Sequence, residues 1–184
     1  MKWFSRAPKS APACQVLMVC MGNICRSPTA EGVLRHKLER AGLAEVVLVD
    51  SAGTYGGHVG DPPDPRAQRH AKARGVDLSK LRARRVTEAD FHRFDLIVAM
   101  DEDNLAALQQ LRPVDTPEPV LLTGFVRRPD APREVPDPYY GGPEGFGVVL
   151  DLVDEACEGL LAHLQARLEN RDDRPLPGNF PGRT

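Results

Sequence analysis

The 184-residue chain has no apolar run near the ~18 residues that would span a bilayer. Its opening stretch, MKWFSRAPKSAPA, is basic but lacks the ~7–15-residue apolar core of a secretory signal. Cysteine is scarce and irregular: Cys14, Cys20, Cys25 and Cys157 do not space like the disulfide framework of a secreted domain. Charge of one sign is missing as well. The 24 basic and 26 acidic residues leave a net charge of -2, which gives no field to draw nucleic acid or an anionic membrane. No internal repeat is present, and no GxxxxGK[ST] run exists to cradle a nucleotide. Cys14, Cys20 and Cys25 lack the close ligand pairs of a zinc site. The expectation is a cytoplasmic, reduced monomer without metal or cofactor, acting on neither nucleic acid nor membrane.

The length suits one domain, read here as residues 14–170 between loose tails at 1–13 and 171–184. Gln15–Cys20 is short, apolar and β-branched, the signature of a buried strand. Ala30, Leu34, Leu38 and Ala41 then recur at helical spacing up to Gly42. Val46–Ser51 reads as a second strand, Arg66–Arg74 as a helix, and Asp95–Met100 as a third strand. A helix follows from Glu102 to Leu111, with a fourth strand at Glu118–Leu122. Val149, Leu152, Ala156, Leu160, Leu164 and Leu168 stripe a long final helix. Strand–helix alternation predicts a three-layer α/β domain: a four-stranded parallel sheet with helices on both faces, of flavodoxin-like topology. Ligands of such sheets bind beyond the carboxyl ends of the strands. Cys20 stands at one of those ends.

After it the chain reads Met21-Gly22-Asn23-Ile24-Cys25-Arg26-Ser27-Pro28. Cys20 and Arg26 bracket a tight loop that opens into a helix, with Pro28 placed at the first helical position. Gly22 and Asn23 tolerate the positive φ that a loop curled around a ligand needs. Such a loop turns successive backbone amides toward an anion at a helix N-terminus, and Arg26 can clamp two phosphoryl oxygens. Thiols in such a field are favoured as thiolates. Ser27 can donate to the sulfur. The chemistry implied is attack on phosphorus through a phosphocysteine, without metal. Such transfer needs an acid for the leaving oxygen. Asp137, between Pro136 and Pro138 and ahead of Tyr139 and Tyr140, is the candidate.

The chain resembles the low-molecular-weight protein tyrosine phosphatases. The matching pieces are VCMGNICRSP (19–28), Asp50-Ser51-Ala52-Gly53-Thr54, Asp64-Pro65-Arg66-Ala67, Phe94-Asp95-Leu96-Ile97 with Met100-Asp101, and Asp137-Pro138-Tyr139-Tyr140, in family order and spacing. The resemblance implies Cys20 as nucleophile, Arg26 as phosphate and transition-state binder, and Asp137 as acid, then base. It implies that Met21, Gly22, Asn23, Ile24, Cys25 and Arg26 supply the phosphate cradle and that Asn23 is a left-handed residue held by Ser27 and Ser51. It also implies a reversible Cys20–Cys25 disulfide and a pocket lined by Ile24, Tyr139 and Tyr140. Its implied substrates are tyrosine-phosphorylated proteins, tyrosine kinases among them, with inorganic phosphate as product.

One departure stands out. Relatives usually carry Trp or Tyr three residues after the position of Thr54, and this chain has Gly57 there, with Tyr55 before it and His58, read as a surface-loop histidine, after it. Alternatives stay open: a protein-arginine phosphatase, an arsenate reductase of the same fold, or a phosphoprotein-binding module without turnover. An apolar Ile24 favours an aromatic ring over a guanidinium. The arginine clusters at Arg82–Arg85 and Arg127–Arg133 read as solvated faces.

Overall fold

A computed structural model describes residues 11–172. The apolar runs become strands because a central strand of a covered sheet must be apolar on both faces. Strand β1 (Cys14–Cys20) pairs in parallel with β2 (Val47–Gly53) on one side and β3 (Leu96–Ala99) on the other. Strand β4 (Val120–Leu121) adds to β3, giving the order β2-β1-β3-β4. Alternate residues of β1 then serve two cores. Val16, Met18 and Cys20 pack toward α1 (Arg26–Arg40) and α5 (Pro143–Asp172), while Leu17 and Val19 pack toward α3 (Glu88–Arg93) and α4 (Glu102–Leu111). Helix α2 (Pro65–Ala73) lies against α1 and α5. The three-layer parallel architecture expected from the sequence is the one observed. The sheet order reverses at β1, so a crevice opens beyond Cys20.

Several local readings shift. β2 runs on to Gly53 rather than stopping at Ser51, because Ala52 and Gly53 pair with Val19 and Cys20. α1 starts at Arg26, so Pro28 is its third residue and not its first. The proline still fits, since amides of the first turn have no intrahelical partner. Ala41 caps α1 and is exposed, leaving Ala30, Leu34 and Leu38 as its buried stripe. The fourth strand shrinks from five residues to two: Pro119 offers no N–H to a ladder, and Leu122–Phe125 turns into a 3-10 helix. Helix α3 was not foreseen. It is six residues long, too short for periodicity, and rests on a Thr87–Asp90 capping box. Its Phe91 and the following Phe94 are almost fully buried, each contributing about 2–3 kcal/mol of apolar burial.

The tails lie mostly outside the described residues. Within them, Ala13 donates its N–H to the Val46 carbonyl at 2.8 Å, and α5 continues through residues 171 and 172. Among the described residues no helix is long and apolar enough to cross a membrane.

Candidate active site

The loop after β1 is held by its carbonyls. Cys20 O accepts from Thr54 N–H at 3.0 Å, Met21 O from Tyr55 N–H at 2.9 Å, and Ile24 O from Asp64 N–H at 2.7 Å. Cys25 O accepts from the Thr29 hydroxyl at 2.7 Å. In a planar trans peptide the following N–H points the opposite way. The amides of Met21, Gly22, Cys25 and Arg26 therefore turn away from these neighbours. Gly53 permits the close approach: a Cβ there would stand 2.6 Å from Met21 O.

Asn23 is the hub. It is 2% exposed and adopts φ 56°, the left-handed region that asparagine tolerates. Its Nδ2 donates to Ser27 Oγ and to Ser51 Oγ, both at 2.9 Å, and its Oδ1 accepts from the Arg84 amide at 2.9 Å. Its own N–H donates to Cys20 Sγ at 3.2 Å, and Ser27 Oγ lies 3.0 Å from the same sulfur. Ser27 already accepts from Asn23. Its single proton is thus left for the sulfur or for Ala52 O at 3.3 Å. A sulfur that becomes an anion takes it.

Arg26 enters from the first turn of α1 and is 3% exposed. Its Nη1 donates to Asp101 Oδ2 at 2.5 Å and to Val135 O at 3.1 Å, and its Nη2 to Asp137 Oδ2 at 2.9 Å. Burial works against the guanidinium, but Cys20, Asp101 and Asp137 outweigh it, so its charge is held more firmly than usual. Asp137 is the more open partner, with its side chain 39% exposed, and its Oδ1 accepts the Tyr139 amide at 3.0 Å.

These groups border a cavity of about 190 Å³ lined by Cys20, Ile24, Cys25, Arg26, Asp137 and Tyr139, with Met21, Gly22 and Tyr140 at the same opening. Of the residues predicted to act in catalysis, phosphate binding or the pocket, all but Asn23 line this cavity, and Asn23 is buried beside it with its N–H on the Cys20 sulfur. Tyr55 and His58 line it too, so His58 is not merely a surface-loop residue. Cys25 packs with Ile24, Ala67 and Phe146, and its thiol is pushed up to about 12 by burial and then by Asp64, Cys20 and Asp137. All four cysteines are free thiols.

Three supports escaped the sequence reading. Asp101 lies 75 residues from Arg26 and meets it only through the β1–β3 pairing. Glu31, 2% exposed on α1, accepts the Ser51 hydroxyl at 2.5 Å and pairs with Arg35 at 2.7 Å. Burial raises the Glu31 carboxyl above its ordinary value despite those partners. Arg84 is not part of a solvated cluster. Its guanidinium joins Asp50 and Asp90, each at 3.0 Å, behind the loop. Among the described residues no group of His, Cys, Asp and Glu could hold a metal ion.

Comparison with known proteins agrees with this geometry. Residues 15–170 match the family described as low molecular weight phosphotyrosine protein phosphatase. The chain is 46% identical over 142 residues to the low molecular weight phosphotyrosine protein phosphatase of Schizosaccharomyces pombe, covering 76% of this chain and 90% of that one. It superposes on a protein tyrosine phosphatase of Entamoeba histolytica with a TM-score of 0.80 at 38% identity, covering 84% of this chain and 99% of the other. It also superposes on Vibrio vulnificus Wzb in complex with benzylphosphonate, with a TM-score of 0.70 at 31% identity, covering 80% and 97%. The chain belongs to the low molecular weight phosphotyrosine protein phosphatase family and is a hydrolase, a protein-tyrosine phosphatase.

Proposed function

We propose that the chain dephosphorylates tyrosine-phosphorylated proteins through a phosphocysteine at Cys20, with Arg26 binding the phosphoryl group and Asp137 serving as acid and then base. The observation that carries this reading is the sulfur of Cys20 facing Asn23 N–H and Ser27 Oγ, with Arg26 joined to Asp137 in the same cavity. The contacts of Arg26 take three of its five donors and leave Nε–H and one Nη2 hydrogen for phosphoryl oxygens.

In the first step the Cys20 thiolate forms a bond to phosphorus as the bond from phosphorus to the tyrosine oxygen breaks. Protonated Asp137 gives its proton to that oxygen. In the second, the Asp137 carboxylate takes a proton from water, the water oxygen bonds to phosphorus, and the phosphorus–sulfur bond breaks. Inorganic phosphate leaves, and the sulfur recovers its anion beside Ser27 and Asn23. The loop amides and Arg26 stabilise the equatorial oxygens throughout. Ile24 and Tyr139 offer the leaving ring an apolar wall. Wzb, a structural relative, is solved with benzylphosphonate, an aryl-bearing phosphonate, which supports an aryl ester here.

Cys25 has a second part in this reading. A peroxide converts the Cys20 thiolate to a sulfenic acid, and the Cys25 thiol then displaces water from it to close a disulfide, which a thiol reductant reopens. Both sulfurs border one cavity.

Phosphotyrosine hydrolysis with chelator present, compared between the native chain and Cys20→Ser, tests the reading. Chelator-resistant turnover that is lost in Cys20→Ser is expected. Turnover that survives the substitution would overturn it.

A further inference from the structure

The cavity gains an aromatic side chain from the loop after β2. Tyr55 is tied to the phosphate loop by its N–H, which donates to Met21 O at 2.9 Å. Its side chain stays 57% exposed at the cavity, and its ring meets His58 edge-on with centroids 6.4 Å apart. A large apolar face with a fixed backbone, standing beside a phosphate loop, is placed to meet a ligand rather than to stabilise a core. The second observation concerns Gly57. A Cβ there would overlap Tyr55 Cε1 and lie 2.5 Å from both Cζ and Oη. The Tyr55 ring lies across the backbone of residue 57, which can bear no side chain while the ring keeps that place.

We infer that Tyr55 selects aryl esters by packing on the ring of the phosphotyrosine, and that Gly57 holds the space Tyr55 needs. The inference rests on the phosphatase reading above. With the phosphoryl group seated in the loop, the ester oxygen leads outward, and whatever it carries lies among Ile24, Tyr55 and Tyr139. A ring gains contact there. Inorganic phosphate, held by the loop alone, does not reach Tyr55. The aromatic absent from position 57 is thus supplied from position 55, with the intervening backbone kept bare.

The test compares the native chain with Tyr55→Ala, Tyr55→Phe, Gly57→Tyr and the double variant Tyr55→Ala/Gly57→Tyr. It reads kcat/KM for phosphotyrosine against the Ki of inorganic phosphate. Tyr55→Ala should lower kcat/KM about 3- to 10-fold, the worth of one aromatic pair, while the phosphate Ki stays within about twofold. Tyr55→Phe should keep the ratio of the two constants. Gly57→Tyr alone should lower kcat/KM, and the double variant should recover it, because either position can hold the ring but not both. Loss of phosphate affinity in parallel, or no change on Tyr55→Ala, would overturn the role of Tyr55. If the native chain fails to hydrolyse phosphotyrosine, the phosphatase reading itself is wrong. Tyr55 is then judged by phosphotyrosine affinity alone, with Cys20→Ser compared to Cys20→Ser/Tyr55→Ala. The same 3- to 10-fold loss is expected there, and equal affinities would overturn the inference.

Discussion

Asn23 Nδ2 donates to Ser51 Oγ at 2.9 Å, and that hydroxyl in turn donates to Glu31 Oε2 at 2.5 Å. The chain of bonds ties the phosphate loop to β2 and to the buried side of α1. Its partners leave Asn23 neither donor nor acceptor free in its side chain, and the backbone conformation at 56° suits few other residues.

Asn23→Ala should therefore cost about 2–4 kcal/mol of stability, from the left-handed backbone and the buried groups left unpaired. It should also lower kcat/KM for an aryl phosphate by ~10–100-fold, since the loop amides lose their aim. Urea unfolding and steady-state kinetics on the same preparation check both. Native kinetics in the variant would show that the carbonyl anchors hold the loop unaided.

Arg84 stands behind this loop and holds Asp90. Burial pushes the Asp90 carboxyl up, but the Arg84 guanidinium and the Thr87 amide and hydroxyl win, and its pKa falls below the usual aspartate value. The unfolded chain then binds the Asp90 proton first as the pH drops through about 4. The stabilisation is present above that pH and is lost as the pH falls through the lower, folded value. Arg84→Met should cost about 1–3 kcal/mol at pH 7, where it strands a carboxylate that is 6% exposed, and less near pH 3. Urea midpoints at both pH values measure the difference. A cost that does not change with pH would remove Asp90 as its source.

Much of this was legible beforehand, for identifiable reasons. β1 and the stripe of α1 show because burial on both strand faces and one helix face leaves a continuous run and a 3.6-residue repeat. The loop between them shows because glycine, asparagine, arginine and serine at close spacing serve no core. Asp101 was visible only as part of a motif and carried no role, because its meeting with Arg26 depends on β1 lying beside β3. Glu31 reads as an ordinary helix-surface acid until Ser51 and Arg35 are seen around it. The fourth strand was overread from Glu118–Leu122, since Pro119 and the 3-10 turn act against pairing that hydrophobicity alone favours. Gly57 showed only as a departure from the Trp or Tyr that relatives carry there. The ring over it could be found only in three dimensions.

Cys25 should be quiet toward alkylating agents. Its thiol, pushed up to about 12 chiefly by burial, is ionised to only ~10⁻⁴ at pH 8. In Cys20→Ser one raising neighbour is lost, while burial and Asp64 remain. The folded variant should resist iodoacetamide at pH 8, where the native chain takes one equivalent, and its labelling should accelerate about tenfold per pH unit above that. Intact-mass spectra follow both. Rapid labelling of Cys25 at pH 8 would mean that the site opens to solvent far more than its 5% exposure implies.

Asp137 differs from Asp101 in what it can give up. Asp101 is bound into α4 as its N-cap, accepting the Asn104 amide at 2.7 Å, and grips Arg26 with its other oxygen. Asp137 holds Arg26 through one oxygen and the Tyr139 amide through the other, on a loop with far more of its carboxyl open. The first geometry positions a guanidinium, whereas the second can release it to a phosphoryl group and turn to the leaving oxygen. Asp137→Ala should therefore slow phenyl phosphate by ~10²–10³, and an activated nitrophenyl ester by only ~10-fold, because a good leaving group needs little protonation. Asp101→Ala should slow both esters alike, through a misplaced Arg26. Rates across a series of substituted phenyl phosphates separate the two carboxylates. A leaving-group dependence that steepens in Asp101→Ala and not in Asp137→Ala would exchange their roles.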